Sequence, residues 1–411
     1  MNRILFVLLG LYVAGIGNLL FSQSTRSPYS IFAEGQIENF GTGTNHAMGG
    51  TGIAFQSQYY LNNVNPASYS GIDSLSFLFE AGLFGNLTRF STGDYNNTHF
   101  TANLKYLVMG FRFNRWWATS FGILPYSSVG YKISTTDIIE GDLTTYFKTY
   151  EGSGGINKFF WGHSIKPFRN FSAGFSLSYY LGSIKKTETG STVNDYITYS
   201  IVRTDKVHSL NLDYGVQYAF RLGDYKYFIG AIFTDNKNMD TDMKCTISYG
   251  TDSVDLEKED VYFYVPRKFG IGLALENESG FKAGLDYEKH FWPGTSFNNS
   301  LLKTRDSERY SIGLEYTPYK RRSDKGWKRI FYRVGGSYYK TYLVIDETPV
   351  NSASFTLGAG IPVGKELNMM NLSLEAGRTG ARNNGLIRED FLVFHVNFTL
   401  HDTWFIKYKF K

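Results

Sequence analysis

From Ser74 onward the chain is built of long segments in which apolar and polar positions alternate. In 171–182, Phe171, Ala173, Phe175, Leu177, Tyr179 and Leu181 share one parity, and Ser172, Gly174, Ser176, Ser178, Tyr180 and Gly182 the other. In 209–220, Leu210, Leu212, Tyr214, Val216, Tyr218 and Phe220 alternate with Ser209, Asn211, Asp213, Gly215, Gln217 and Ala219. Leu392, Phe394, Val396, Phe398 and Leu400 repeat the pattern near the end. Successive side chains on a strand point to opposite faces, so each segment has one greasy face and one small or polar face. Strands of a soluble sandwich alternate too, but usually stop after about 5–6 residues. These run for about 10 or more, the length a tilted strand needs to cross a bilayer.

The pattern predicts about fourteen strands, at 74–86, 99–114, 116–134, 144–166, 171–186, 199–221, 226–246, 260–277, 280–297, 304–319, 327–345, 350–364, 370–380 and 386–401. Polar stretches at 87–98, 135–143, 187–195, 247–259, 298–303 and 378–385 read as long loops. Arg115, 167–170, 222–225, 278–279 and 365–368 read as short turns. Alternation of long and short connections is expected of a transmembrane antiparallel β-barrel with long loops outside and short turns in the periplasm. An even strand count then leaves both mature termini periplasmic. The turn 319–329 departs from the pattern with Lys320, Arg321, Arg322, Lys325, Lys328 and Arg329. It reads as a solvated turn, with contact to anionic headgroups as the alternative. The aromatics of 404–411 also alternate and resemble a C-terminal barrel-insertion signal; this piece reads as an extension or periplasmic tail.

Composition agrees with an all-β chain: 43 Gly, 31 Tyr and 34 Phe in 411 residues, with only 9 Pro. A mean hydropathy of −0.25 would suit a soluble protein. In a barrel, however, lipid-facing and lumen-facing residues cancel in the average. The net charge of +5 has no basic stretch interleaved with stacking aromatics, which excludes a nucleic-acid partner. Cys245, the one cysteine, rules out internal disulfides and a cysteine zinc site.

Asn2 and Arg3 precede the apolar run 4–16, too short for a helical span but right for an export signal, with cleavage after Ser22. Residues 23–73 lack a sustained period and are rich in Gly and Asn. They carry too many aromatics and aliphatics for a disordered tail: Tyr29, Phe32, Phe40, Ile53, Phe55, Tyr59, Tyr60 and Leu61. The expected domains are therefore a signal peptide (1–22), a plug folded into the lumen (23–73) and an outer-membrane barrel (74–411).

In the plug, Met48-Gly49-Gly50-Thr51-Gly52-Ile53-Ala54 followed by Asn65-Pro66-Ala67-Ser68 resembles the hatch of the FadL/TodX family of long-chain fatty-acid and hydrocarbon transporters. Ser153-Gly154-Gly155-Ile156-Asn157-Lys158 with Lys166-Pro167-Phe168-Arg169-Asn170, and Leu386-Ile387-Arg388-Glu389, are similar to the version common in Bacteroidota. The resemblance covers nearly the whole mature chain and implies a fourteen-stranded barrel with an N-terminal hatch that includes Gly49, Gly50, Asn65 and Pro66. It also implies a kinked third strand through which apolar cargo leaves sideways. Pro125 and Tyr126 stand inside the third predicted strand, and Pro lacks the N–H that a ladder needs. The alternative there is a bulge that only shapes the wall.

The seven His residues form no metal-type pair, and no Gly-x-Ser-x-Gly elbow occurs. The expectation is no enzyme, no metal and no cofactor, although Ser and His brought together from separate strands are not excluded by sequence. Parity turns Lys282, Asp286 and Glu288 of the ninth strand, Arg309 and Glu315 of the tenth and Arg333 of the eleventh inward. They read as a mutually neutralising network that anchors the hatch. The sharper alternative is that Lys282, Arg309 or Arg333 holds a ligand carboxylate. The function expected is passive uptake of a hydrophobic, fatty-acid-like small molecule, with outer-membrane lipids as surroundings. The second reading is a non-transporting barrel subunit of an envelope secretion or assembly complex.

Overall fold

The computed structural model describes residues 27–38, 41–93, 95–138, 145–192, 197–256, 263–293, 302–318, 326–364, 368–382 and 386–403. The export signal, the basic residues at 320–325 and the aromatic tail 404–411 lie outside them.

The described chain forms one closed antiparallel barrel of fourteen staves. They are β1 (Ser76–Thr92), β2 (Tyr95–Arg112), β3 (Trp117–Ile138), β4 (Thr145–Phe168), β5 (Phe171–Thr192) and β6 (Ile197–Leu222). β7 runs over Tyr225–Thr234 and continues as Lys237–Tyr249; β8 comprises Asp252–Leu256, Phe263–Val265 and Arg267–Asn277. Then come β9 (Phe281–Phe291), β10 (Leu302–Thr304 and Ser307–Tyr316), β11 (Phe331–Ile345), β12 (Thr348–Pro362), β13 (Met369–Thr379) and β14 (Arg388–Thr403). β14 pairs with β1 from Arg388↔Ser91 to Thr403↔Ser76, which closes the ring.

The parity read from sequence is the parity observed. On β6, Leu210, Leu212, Tyr214, Val216 and Tyr218 are exposed on the outside, while Ser209, Asp213 and Gln217 are buried inside. An unbroken apolar girdle of this size belongs against acyl chains rather than water. Above Leu181 and Leu210 the outward parity changes to Ser183, Lys185, Lys206 and His208, so these strands leave the apolar belt long before they end.

That continuation corrects the expected loops. Strand runs through most of 87–98, through 187–192 and through most of 247–256. Polarity there marks departure from lipid, not the end of the ladder. Nor do connection lengths alternate strictly. β11 and β12 meet in a two-residue turn, Asp346 and Glu347, both at positive φ (46° and 59°), on the side expected to carry long loops.

The wall is uneven in height. β3 to β6 have 22, 24, 22 and 26 residues, whereas β9 and β13 have 11 each. At about 3.3 Å per residue and a barrel tilt near 40°, the half formed by β3–β8 stands roughly 30 Å above the lower rim.

Residues 27–38 and 41–75 lie inside the ring, with a short helix α1 (Gly43–Ala47) and 3-10 turns at Pro28–Ile31 and Pro66–Gly71. The segment enters at the loop end, where Tyr29 Oη donates to the Ile387 carbonyl (2.5 Å). The last described residue, Thr403, lies at the turn end beside Ser76. The two ends of the barrel itself, Ser76 and Thr403, thus share one side, as an even strand count requires, while residue 27 lies at the other; the mature termini fall outside the described residues.

Candidate lumen site and wall slit

Small inward residues let the N-terminal segment seat backbone against wall. A Cβ on Gly174 of β5 would lie 2.5 Å from the Pro66 carbonyl carbon, and one on Gly215 of β6 would lie 2.0 Å from Asn65 Oδ1. Asn65 starts the Pro66–Gly71 turn by accepting from the Ala67 N–H (3.0 Å), and its Nδ2 donates to the carbonyls of Ile53 (2.7 Å) and Val216 (3.2 Å). Gly49, at φ +66°, donates its N–H to Thr356 Oγ1 (3.0 Å) and comes so close to β11 that a Cβ would sit 2.6 Å from the Gly336 backbone. Gly50, at φ +88°, donates to the Asn45 carbonyl (2.8 Å). All four residues singled out in this segment thus touch the wall or shape the fold of the segment.

The inward charges divide among three arrangements, with Arg309 beside the third. Asp286 Oδ2 accepts from the N–H groups of Gly52 (2.6 Å) and Ile53 (2.9 Å), a direct wall-to-segment anchor. Near the turn end, Arg333 Nε bonds Glu315 (2.6 Å) and its Nη1 bonds Asn371 Oδ1 (2.7 Å), while Lys282 lies 3.5 Å from Glu315. Glu288 pairs with His290 on its own strand at 3.5 Å. Arg309 lies opposite Glu288 across the β9–β10 ladder, with its guanidinium 4.7 Å from the Tyr339 ring. The expected single network is therefore a carboxylate clamp, a closed cluster and a Glu288–His290 pair beside Arg309.

Sequence reasoning missed several anchors. Glu80 Oε1 accepts from the Leu61 N–H (2.6 Å), and Gln217 Nε2 donates to the Ile53 carbonyl (2.8 Å). Both obey the inward parity. The signal existed, but only a threading of the segment could single them out.

Above the seated segment lies a cavity of about 210 Å³. Its floor is His46, Gly49 and Gly50, and its roof is the strip 35–38 with Ser27 and Tyr29. The sides come from β1, β2 and β10–β14, mixing Phe84, Tyr339, Tyr342 and Phe391 with Lys105, Arg309 and Glu375. It is amphipathic. His46 stacks on His395 of β14, ring centroids 4.5 Å apart and planes within 7°.

Beside this cavity the wall ladder is interrupted. β2 and β3 pair only from Arg112↔Ala118 to Leu107↔Ile123. Two residues higher stands Pro125, and the register with β4 slips between Pro125 and Ser127, leaving Tyr126 as the bulge. The N-terminal strip takes the place of β2 on that edge: Gln36 pairs with Ser128 and Ile37 with Ser127, Glu38 N–H donates to the Tyr126 carbonyl (2.9 Å), and Ser27 N–H to the Gly130 carbonyl (2.8 Å). Glu38 then spans the slit, accepting from Lys105 Nζ of β2 (2.5 Å) and from Ser128 Oγ of β3 (3.0 Å). Glu34, in the same strip, accepts from the Tyr264 N–H (2.7 Å), and burial pushes its carboxyl up to about 7.

A family model described as BamG matches residues 1–411. The chain belongs to the BamG family. The motif resemblance to FadL/TodX proteins therefore holds for architecture rather than for family membership. BamG-family membership is accompanied by clear likeness to solved outer-membrane channels. The Pseudomonas putida toluene transporter TodX superposes with a TM-score of 0.59 at 15% identity, over 91% of this chain and 100% of that one. The Ralstonia pickettii toluene transporter TbuX gives 0.55 at 17% identity, over 88% and 98%. A Pseudomonas aeruginosa FadL homologue gives 0.54 at 11%, over 89% and 99%. No curated protein matches by sequence. At these identities the likeness establishes the fold.

Proposed function

We propose that this protein is an outer-membrane channel for passive uptake of a hydrophobic small molecule, exported through removal of residues 1–22. Residues 23–73 act as a hatch, and cargo leaves sideways between β2 and β3. The observation that carries the reading is the interrupted ladder above Leu107↔Ile123, lying beside a lumen cavity with aromatic walls. A continuous wall would force an apolar cargo through a polar turn end; a slit releases it into acyl chains. The transport functions named for TodX and TbuX agree with this reading. No energy source or cofactor is required.

The test locks the strip. Gln36→Cys with Ser128→Cys joins cross-strand partners, with Cys245→Ser removing the native thiol. In liposomes, uptake of dodecanoate is expected to fall to the protein-free rate when the pair is oxidised and to return on reduction. Equal uptake in both states rules out the lateral route.

A second reading has an observation of its own: the tall β3–β8 half stands in water above the apolar belt, an extent that a transport route confined to the bilayer does not need. That blade is a docking surface if the protein serves an envelope assembly. Stoichiometric co-purification of other envelope proteins, lost when the upper parts of β5 and β6 are trimmed, supports this reading; purification alone with bound lipid opposes it.

A further inference from the structure

We propose that the outer face of β2–β4, near the turn end, holds one anionic phospholipid. Its glycerol region lies over Thr119, an ester carbonyl accepts from His163 Nε2, and its phosphate sits at Arg115 and Arg169. The site is on the lipid side of the wall and involves neither the lumen cavity nor the slit, so it goes beyond the uptake reading.

Three outward residues form a row across this face: Phe111 of β2 pairs with Thr119 of β3, and Thr119 with His163 of β4. Thr119 is the small one. Its hydroxyl is spent on the Gly162 carbonyl (2.8 Å), and large rings surround it, Phe121 and Trp161 on the loop side, Phe113 and Trp117 on the turn side. The result is a hollow of about 540 Å³. A polar ring at a lipid-facing position is costly unless its N–H is satisfied. The Trp117 indole N–H can only donate, and it points at His163 Nδ1 (3.4 Å). The neutral imidazole therefore carries its proton on Nε2. Trp161 and Phe175 flank the ring, with centroids 4.9 and 5.4 Å away, and Nε2 has no acceptor among the described residues. Acyl chains offer none either, whereas the ester carbonyls of a glycerolipid do. The depth agrees: Thr119 stands four residues above Arg115, roughly 10 Å at a barrel tilt near 40°, and the exposed rings of Trp116 and Phe168 mark the interface below it.

Charge selects the headgroup. The turns beneath the hollow, 112–117 and 165–171, contain Arg112, Arg115, Lys166 and Arg169 and no acidic residue. Arg112 is turned to the carbonyls of Ile72 (2.9 Å) and Asn114 (3.0 Å), whereas Arg115 and Arg169 are exposed. Exposed guanidinium groups below a donor at ester level suit the phosphate of a lipid with net negative charge. With short turns in the periplasm, as outer-membrane barrels generally have them, this level belongs to the phospholipid leaflet. The place also gives the lipid a task. β2 and β3 share only the rungs from Arg112↔Ala118 to Leu107↔Ile123, the shortest ladder between neighbouring staves among the described residues. A lipid that touches β2, β3 and β4 at once braces that seam.

The experiment adds phosphatidylglycerol or phosphatidylcholine to purified full-length protein in detergent. Native mass spectrometry counts retained lipid, and the temperature at which the fast gel migration is lost reports on the seam. Phosphatidylglycerol is expected to bind about ten-fold tighter than phosphatidylcholine, the ordinary worth of one charge-assisted bond, and to raise that temperature. Arg115→Gln combined with Arg169→Gln is expected to erase the preference. His163→Phe keeps a ring but removes the donor, and is expected to weaken both lipids about five-fold while the preference remains. Arg221→Gln removes an exposed cation from the β6–β7 turn, where it pairs with Glu278, and is expected to change neither readout. A heat-modifiable gel shift confirms that each variant keeps the barrel. Equal retention of the two lipids overturns the site, as does a preference that survives loss of both arginines or that Arg221→Gln also removes. The uptake reading stands under each of these results.

Discussion

Two halves of the same wall treat their interiors in opposite ways. On the β3–β8 half, the inner face is closed. Tyr126, Val129, Ile156, Tyr180, Ile184 and Val207 pack as one apolar cluster with Met239, Phe263 and Val265, and Ile31 and Ile37 of the strip lie against it. The charges there are spent on each other: Asp213 accepts from Lys158 (2.6 Å), Ser178 (2.7 Å) and Thr234 (2.5 Å). On the β9–β2 half, Glu315, Arg333 and Lys282 also satisfy one another near the turn end, but above them polar and aromatic side chains line a cavity of about 210 Å³. Period two makes a barrel of both halves. What differs is whether the inward groups above the seated segment pack against one another or border a cavity. A filled half holds the segment in place, and an open half admits cargo.

The largest break in this comparison comes from putting volume where the segment touches the wall. Gly215→Val builds its Cβ 2.0 Å from Asn65 Oδ1, and neither the strand backbone nor the capped Asn65 can give way. The expected outcome is a folded barrel with the segment expelled, read as a large rise in ion conductance across planar bilayers with the gel shift retained. Unchanged conductance shows that the segment is not what closes the lumen.

A smaller effect follows from cutting one anchor. Asp286→Ala strands the N–H groups of Gly52 and Ile53, which now share Asp286 Oδ2. Loss of two charge-assisted bonds to buried donors costs about 2–4 kcal/mol of docking. Hydrogen exchange at those two amides is expected to accelerate by at least 30-fold, roughly what 2 kcal/mol allows. The Glu315–Arg333 cluster should be unaffected, because it lies at the turn end and touches neither amide. No acceleration means that the segment is held by packing alone.

How much of this was legible beforehand divides by range. The barrel, its fourteen staves and the inward parity of Asp286 and Arg309 followed from alternation, because a two-residue period reports directly on which face meets lipid. Gly49 and Asn65 stood out as residues that tight backbone needs. The full height of β5 did not follow, since past Lys186 the chain is polar and looks like loop, whereas β4 and β6 end within two residues of the bounds that alternation predicts. Lys105 was hidden for a sharper reason: the bulge opposite Gly82 and Leu83 reverses its parity, and a bulge leaves no mark in the spacing of apolar residues. Glu38 was hidden because its meaning lies in two strands that it bridges, β2 and β3, neither adjacent to it in sequence.

The strip between the halves should respond to pH. Glu34 is buried and its carboxyl is pushed up to about 7, so the docked strip holds a proton that the free segment gives up near the ordinary value of 4.5. Between those values the docked form binds more protons, and docking therefore weakens as pH rises from about 4.5 to about 7, with no further change above. Exchange of the Tyr264 amide, corrected for its intrinsic pH dependence, is expected to be faster at pH 8 than at pH 5.5. Glu34→Gln should exchange at one rate throughout. A wild-type rate that does not change with pH refutes the assignment.

The finest distinction is a single methyl group placed in each half. Ser354 lines the cavity and bonds Ser337 Oγ (3.0 Å); Thr in its place points its methyl group toward open space, and the change in stability should stay within about 0.5 kcal/mol. Ser178 is fully buried in the closed half, bonded to Asp213 among packed neighbours. There the same methyl group overpacks, at a cost of about 1–3 kcal/mol. The temperature at which each variant loses its fast gel migration gives the comparison. Ser178→Thr is expected to fall clearly below wild type, and Ser354→Thr to match it. Equal loss in both would show that the cavity is filled by neighbouring side chains, and the contrast between a closed and an open half would then have no physical basis.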